Sequence, residues 1–156
     1  MKKINCSIIL LLLIIGSIFL TSCGTIQVVG KTFVYENVSI DWGMAEEKDK
    51  QLIYEKYSVN SHSELIEYLK TYNNRNNRVT TFGTDNKYVT KNEKNEIIDS
   101  GYYRQDDDLI TLSETEDGFH ENTSYTLDAN DKGYIVLLKL DNDLKVFAKY
   151  QYIEQS

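Results

Sequence analysis

The sequence predicts a mainly β protein, an eight-stranded antiparallel up-and-down barrel with one or two helices inserted after the first strand. Turn-forming residues separate short apolar runs about every 8 to 12 residues, which is typical of an antiparallel meander. The chain contains 12 Tyr, 5 Phe and no Pro, and this composition favours sheet. Because an open meander leaves two edge strands exposed, we expect the sheet to close into a barrel.

The first predicted strand changes phase in its middle. Apolar residues alternate at Phe33 and Tyr35, and the alternation resumes on the opposite phase at Val38, Ile40 and Trp42. One extra residue in a strand produces such a change, so we predict a single strand with a β-bulge near positions 36 and 37.

Two helices are predicted after this strand. The charged segment 44–57 indicates the first. Ser61 and Glu64 form the pattern of a capping box, and apolar residues then recur with helical spacing at Leu65, Tyr68, Leu69 and Tyr72. The Asn- and Arg-rich segment 73–78 is interpreted as a loop.

Seven further strands are predicted in the rest of the chain, at 79–83, 87–91, 96–105, 109–113, 123–128, 133–140 and 144–154. The segment 134–140 is apolar on both faces, so another element should cover its outer side. We expect the helix over 65–72 to do so.

The N-terminus carries the signals of export and lipid attachment. Lys2 and Lys3 precede an apolar run over 8–20, which is shorter than the roughly 20 residues of a membrane span. The run ends in Leu-Thr-Ser-Cys-Gly at 20–24, which resembles the lipobox of bacterial lipoproteins. The alternative is an ordinary signal peptide with an incidental cysteine.

The lipobox resemblance implies that Cys23 receives the lipid and becomes the first residue of the mature protein. We therefore expect a signal peptide over 1–22, a lipidated tether over 23–29 and one domain over 30–156. The expected location is the extracytoplasmic side of the cell membrane, or of an outer membrane if the organism has one. The membrane is then a partner through the lipid anchor.

From residue 30 onward the chain resembles the lipocalin-like, or calycin-type, domains of small bacterial lipoproteins. The matching segments are Gly-Lys-Thr-Phe at 30–33, Thr-Phe-Gly at 81–83 leading to Tyr88, Gly-Tyr-Tyr at 101–103, Leu-Ile-Thr-Leu at 109–112, Tyr-Thr-Leu at 125–127 and Tyr-Gln-Tyr at 150–152. The resemblance implies an eight-stranded lipocalin-like barrel. The lipocalin signature has Trp where this chain has Thr32, so no specific lipocalin ligand is carried over.

Charge and cysteine content exclude several classes of function. The net charge is −7, and removal of Lys2 and Lys3 with the signal peptide makes it −9. Such an acidic surface argues against binding to nucleic acid or electrostatic docking on anionic lipid. After cleavage Cys23 is the only cysteine, so neither a disulfide nor a cysteine-based metal site is expected.

No catalytic or metal-binding group is predicted. His62 belongs to the first turn of a helix, and His120 stands beside Glu121 without a nearby nucleophile. A zinc site needs three or four ligands, and two histidines without a free cysteine do not favour one. Segment 128–133 partly matches the start of a calcium-binding loop, but lysines occupy two of the ligand positions of such a loop. The three aspartates at 106–108 are interpreted as a solvated turn. We therefore expect no cofactor, no metal and no enzymatic activity.

The aromatic side chains are the remaining candidate site. Strand alternation predicts that eight residues point inward, namely Tyr103, Ile110, Leu112, Tyr125, Leu127, Val146, Ala148 and Tyr150. Tyr103, Tyr125 and Tyr150 are the candidate ligand-binding residues, and Gly101 and Ala148 would leave room for a small apolar or amphipathic ligand. The alternative is a filled barrel in a cell-envelope interaction or structural protein, with an unidentified protein partner.

Overall fold

The structure, a computed structural model, describes residues 24–120 and 124–156, without the side chains of 124 and 125. It is a closed eight-stranded antiparallel barrel in which each strand pairs with the next and the last pairs with the first. This confirms the predicted fold class. The strands are β1 (Thr32–Asp41), β2 (Val79–Phe82), β3 (Lys87–Lys91), β4 (Ile97–Asp106), β5 (Leu109–Ser113), β6 (Ser124–Ala129), β7 (Gly133–Asp141) and β8 (Val146–Glu154).

The predicted bulge in β1 is confirmed. The pairing of β1 with β8 shifts register between Tyr35 and Asn37. As a result, Phe33 on one side of the bulge and Val38 on the other are both buried, although five positions separate them.

Two helices and a 3₁₀ segment connect β1 to β2, as α1 (Glu47–Lys56), α2 (His62–Thr71) and the 3₁₀ segment (Tyr72–Asn77). The Glu64 N–H donates a 3.2 Å hydrogen bond to Ser61 Oγ, as the capping box predicts. The Glu64 carboxylate accepts from the Asn60 N–H instead of that of Ser61. No helix within 24–120 or 124–156 is long and apolar enough to cross a bilayer.

The barrel has two different ends. The tether end, as we call it, carries the turns at 83–86, 107–108 and 130–132 together with the start of β1 and the end of β8. At the opposite end, which we call the helix end, β7, β8 and β1 continue past their short neighbours. Because β1 pairs with β2 over its first three residues only, near the tether end, the helical insertion occupies the space beside the rest of β1.

The expectation that the second helix covers the outer side of segment 134–140 is wrong. The helix lies on the inner face, where the Tyr150 hydroxyl of β8 donates a hydrogen bond to the carbonyl oxygen of Leu69. Leu65 and Leu69 are fully buried there, whereas Leu137 on the outer face of β7 remains 46% exposed. The apolar stripe of the helix buries more area by closing the barrel end than it would on an outer strand face.

Aromatic side chains fill the half of the barrel next to the tether end. The ring centroids of Phe82 and Tyr103 lie 4.9 Å apart, and those of Phe33 and Tyr134 lie 5.3 Å apart. Tyr134 also stacks on Tyr152 at 5.1 Å. Such packing leaves no room for a ligand in this half of the barrel.

The N-terminal segment seals the tether end. The Val28 side chain is fully buried, and its N–H donates a 2.9 Å hydrogen bond to Gln105 Oε1. Gln105 Nε2 donates in turn to the carbonyl oxygen of Ile26 at 2.8 Å, and the Ile26 N–H donates to the carbonyl oxygen of Asn130 at 2.9 Å. The segment from Ile26 onward is therefore part of the folded barrel.

Candidate functional site

A cavity of about 280 Å³ lies in the half of the barrel toward the helix end. One part of its lining is polar and comes from the 3₁₀ segment, the residue after it and the neighbouring ends of β2, β3 and β4. The other part is apolar and comes from β5, β6 and β7. The lining residues are Arg75, Arg78, Thr80, Thr90, Asp99, Leu112, Leu127, Tyr134, Val136, Leu137 and Tyr152.

Two of the three arginines in the chain line this cavity. Asn73 and Asn74 have φ values of 52° and 51°, in the left-handed region that Asn tolerates better than most residues. They end α2 and reverse the chain into the 3₁₀ segment. Arg75 lies within the 3₁₀ segment, and Arg78 follows directly after it with extended backbone. The sequence places both guanidinium groups at one wall of the cavity in this way.

Both arginines keep an unsatisfied hydrogen-bond donor. The Nε atoms of Arg75 and Arg78 are buried and have no hydrogen-bond partner. The Arg78 Nη2 atom donates to the carbonyl oxygen of Asn73 at 2.9 Å, and the Arg75 guanidinium lies over the Tyr150 ring at 4.9 Å. A buried donor without an acceptor is unfavourable by about 1 to 3 kcal/mol, and more when it is charged. An acceptor in the cavity would remove this penalty.

The other polar groups of the cavity have partners among themselves or nearby. Thr80 and Thr90 share a 2.9 Å hydrogen bond between their hydroxyl groups, and the Tyr88 hydroxyl donates to Asp99 Oδ1 at 3.2 Å. Asp99 is the one carboxylate among the described lining residues, so the formal charges there sum to +1. This positive charge stands out in a chain whose net charge is −7.

The tyrosines around the arginines are held in their neutral form. Burial raises the pKa of Tyr152, and the positive charges of Arg75 and Arg78 oppose part of this shift. Burial likewise raises the pKa of Tyr150, against the opposing charge of Arg75. The pKa of Tyr35 is raised by burial and then by the Glu67 carboxylate, and its buried hydroxyl has no hydrogen-bond partner. These phenols are donors and do not compete with a bound anion for the arginines.

Two of the candidate tyrosines, Tyr103 and Tyr150, lie inside the barrel but outside the lining of this cavity. Tyr103 and Tyr150 are buried, as alternation predicts, and their hydroxyl groups donate to the carbonyl oxygens of Gly83 at 2.7 Å and Leu69 at 2.9 Å. The side chain of Tyr125 is outside the described part, as is Cys23. Ligand binding by the three tyrosines therefore stays a prediction. The other predicted inward residues are buried, namely Ile110, Leu112, Leu127, Val146 and Ala148.

The small inward residues do not create the cavity. A side chain at Gly101 would meet the backbone of Ser113 and the ring of Tyr88, so this glycine allows close packing. Ala148 is fully buried in the hydrophobic core. The free space instead arises where the helical insertion meets β2 through β7. The sequence feature that indicates this cavity is the Asn-Asn pair followed by two arginines three residues apart, in the segment 73–78.

The remaining polar motifs form ordinary local structure. The Asn130 side chain accepts from the N–H groups of Lys132 and Gly133, both at 2.9 Å, so segment 128–133 contains a hairpin turn. His62 packs beside Trp42 with ring centroids 5.9 Å apart. His120 is exposed in the loop after β5. Within the described residues, no three His, Cys, Asp or Glu side chains are grouped to hold a metal ion.

Comparison of the chain with protein-family models, with curated proteins and with solved structures gives no significant match in any of the three. The closed barrel with its helical insertion is consistent with the lipocalin-like resemblance of the sequence.

Proposed function

We propose that this protein is a membrane-anchored extracytoplasmic lipoprotein whose barrel binds a small amphipathic molecule with one negative charge. Cys23 is the proposed site of the lipid anchor. The cavity between the 3₁₀ segment and strands β2 to β7 is the proposed ligand site.

One observation carries the proposal about the ligand. Arg75 and Arg78 both line the cavity, and each has a buried Nε donor without a partner. A carboxylate or a similar anion supplies several acceptor oxygens and pairs well with guanidinium groups. Such an anion would satisfy the donors and neutralise the net charge of +1 in the lining.

The apolar part of the lining supports an amphipathic ligand over a purely inorganic anion. Leu112, Leu127 and Val136 face the same cavity as the arginines. Burial of apolar ligand surface contributes about 25 cal/mol per Å², and convergent polar groups fix the orientation of the charged end. The combination favours a molecule that has an apolar body and one anionic group.

The lipid anchor is supported by the sequence at 20–24 and by the length of the segment after it. Only Gly24 and Thr25 lie between Cys23 and the first hydrogen-bonded residue of the barrel, Ile26. A lipid on Cys23 would hold the domain next to the membrane surface, because two acyl chains are enough for stable anchoring.

The ligand proposal is tested by titration of the purified protein with 2-naphthoic acid, a fluorescent aromatic carboxylate small enough for a cavity of about 280 Å³. Arg78→Gln keeps much of the side-chain volume and removes the charge. We expect it to weaken binding at least tenfold, which corresponds to about 1.4 kcal/mol. Arg104→Gln is the matched control, because Arg104 is exposed and packs its guanidinium on the Phe119 ring at 4.1 Å, away from the central cavity.

Two further measurements complete this test. The methyl ester of the same probe has no charge, so its affinity should be nearly equal for wild type and Arg78→Gln. Thermal unfolding of each variant reports whether the substitution acts through stability. Equal losses for Arg78→Gln and Arg104→Gln, or no binding of the probe by the folded wild type, would contradict the proposal.

A second candidate function is that of a cell-envelope interaction protein without a small-molecule ligand. An apolar groove on the outside of β2 and β3, with Val79, Val89 and Ile97 in its lining, supports it, and the Ile97 side chain is 63% exposed. Contiguous exposed apolar surface is typical of protein contact sites. This candidate predicts that the folded protein binds no anionic probe, so the same titration separates the two functions.

A further inference from the structure

The barrel is split between β6 and β7. Their pairing is limited to two positions at the tether end, Asp128 with Ile135 and Ala129 with Tyr134. Continued in the same register, Leu127 would oppose Val136, but no pairing is present there, although β6 begins at Ser124 and β7 extends to Asp141. The two strands therefore separate toward the helix end.

The split differs from the other short seam of the barrel. At the seam between β1 and β2, the 3₁₀ segment and α2 pack against β1 where its pairing with β2 has ended. No helix or strand of the described residues inserts between β6 and β7. The split is thus a gap in the backbone hydrogen bonding of the barrel wall.

This split borders the cavity. Leu127 of β6 and Val136 and Leu137 of β7 all line the cavity. Leu137 alternates to the outer face of β7 and is 46% exposed, yet it also lines the cavity, so it lies on the rim where the cavity meets the outer surface. The arginines enter from the seam between β1 and β2, whereas the rim of the split is apolar.

The size of the cavity limits what it can enclose. Its volume of about 280 Å³ is slightly below the roughly 300 to 1,000 Å³ of pockets that bury a drug-sized ligand. It has room for an anionic group and a short apolar segment. A longer apolar chain needs a way out, and the split between β6 and β7 provides one lined by leucine and valine.

We propose that the apolar chain of the ligand leaves the cavity between β6 and β7, so that the ligand class is a long-chain alkyl monoanion. This inference rests on the proposed function, because it assumes that the arginines bind the anionic group. The anionic group lies between Arg75 and Arg78, and the chain passes Leu137 toward the solvent.

The experiment compares octanoic and dodecanoic acid by isothermal titration calorimetry. Octanoate fits within the cavity, whereas the chain of dodecanoate reaches the split. Wild type should bind dodecanoate at least tenfold more tightly than octanoate, because the additional methylene groups are buried against the rim. Leu137→Glu places a negative charge on the rim and should remove this advantage while leaving octanoate affinity within about twofold.

Leu109→Glu is the matched control, because Leu109 is 45% exposed, nearly the same as Leu137, but does not line the cavity. It should leave both affinities unchanged. Leu137→Ala carries no charge and should show a smaller loss for dodecanoate only. It keeps the test valid if Leu137→Glu lowers stability.

The outcomes separate this inference from the proposed function. If wild type binds neither acid, both are wrong. If octanoate binding depends on Arg78 but dodecanoate gains nothing, or if Leu137→Glu and Leu109→Glu behave alike, the proposed function stands and the exit between β6 and β7 is wrong. Equal loss of both acids in Leu137→Glu also contradicts the exit.

Discussion

The hydroxyl of Tyr150 donates a 2.9 Å hydrogen bond to the carbonyl oxygen of Leu69. The bond joins the inner face of β8 to the last turn of α2, across 81 residues of sequence. The same carbonyl also accepts from the Tyr72 N–H at the end of the helix. An inward tyrosine hydroxyl thus fixes the helical insertion inside the barrel end and so determines where the 3₁₀ segment presents its arginines.

Tyr150→Phe should lower the free energy of unfolding by about 0.5 to 1.5 kcal/mol, the usual net value of one hydrogen bond, because Leu69 keeps its second donor. Urea denaturation measures this change. The ring remains under the Arg75 guanidinium, so affinity for 2-naphthoic acid should change less than twofold. Tyr68→Phe, at an exposed position on the same helix, is the control. A large loss of probe affinity in Tyr150→Phe would instead place this hydroxyl in the ligand site.

Stability should fall in alkaline solution through the same residue. Burial raises the pKa of Tyr150 in the folded protein. Below the ordinary tyrosine pKa of about 10, both states keep the phenolic proton and this group adds no pH dependence. As the pH rises above that value, the unfolded chain loses the proton first, so the folded state binds more protons and the free energy of unfolding decreases.

Urea denaturation at several pH values above 10 should therefore show a shallower decline for Tyr150→Phe than for wild type. Tyr68→Phe should retain the wild-type slope. An unchanged slope in Tyr150→Phe would show that other groups cause the alkaline loss.

Leu69→Ala should lower the free energy of unfolding by about 2 to 5 kcal/mol, because it removes a fully buried side chain from the contact between α2 and the barrel. Leu52→Ala on α1 is the control, since that leucine is 61% exposed. Chemical denaturation of the two variants gives the comparison. Similar small losses in both would mean that α2 does not pack on the barrel as described.

Cys23→Ala should block lipid attachment and leave the precursor uncleaved or wrongly processed. Metabolic labelling with an alkyne-tagged fatty acid in a bacterial host, followed by gel fluorescence, measures attachment. Cys6→Ala changes the other cysteine of the chain and should retain the label. Label that persists in Cys23→Ala would show that another residue carries the lipid and remove the basis for the proposed location.

Local patterns in the sequence were sufficient to predict most of the fold. Alternation and turn residues predicted all eight strands to within about two residues, and Ser61 marked the start of α2 correctly. The inner placement of α2 was not predictable in this way, because its apolar stripe fits either face of a sheet. Only the early end of pairing between β1 and β2 shows which face is free.

The cavity was harder to predict than the strands. Asn73 and Asn74 have left-handed backbone conformations, and they turn the polar segment that contains the arginines toward the barrel interior. The hydrophilic composition of this segment does not indicate that it points inward. The tyrosines were expected at a ligand because of their alternation. Their hydroxyl groups instead find backbone acceptors at Gly83 and Leu69, which are distant in the sequence.

The sealed tether end limits the orientations that the barrel could take relative to the membrane. A free segment over 24–29 would extend about 20 Å, but with Ile26 already bonded to Asn130 only Gly24 and Thr25 remain, or about 7 Å. A lipid on Cys23 would therefore hold the barrel upright on the bilayer, with the 3₁₀ segment and its arginines raised to the far side. In that orientation the cavity would receive its ligand from the aqueous space above the membrane. A longer tether would allow the barrel to turn over, so that the helix end faced the lipid.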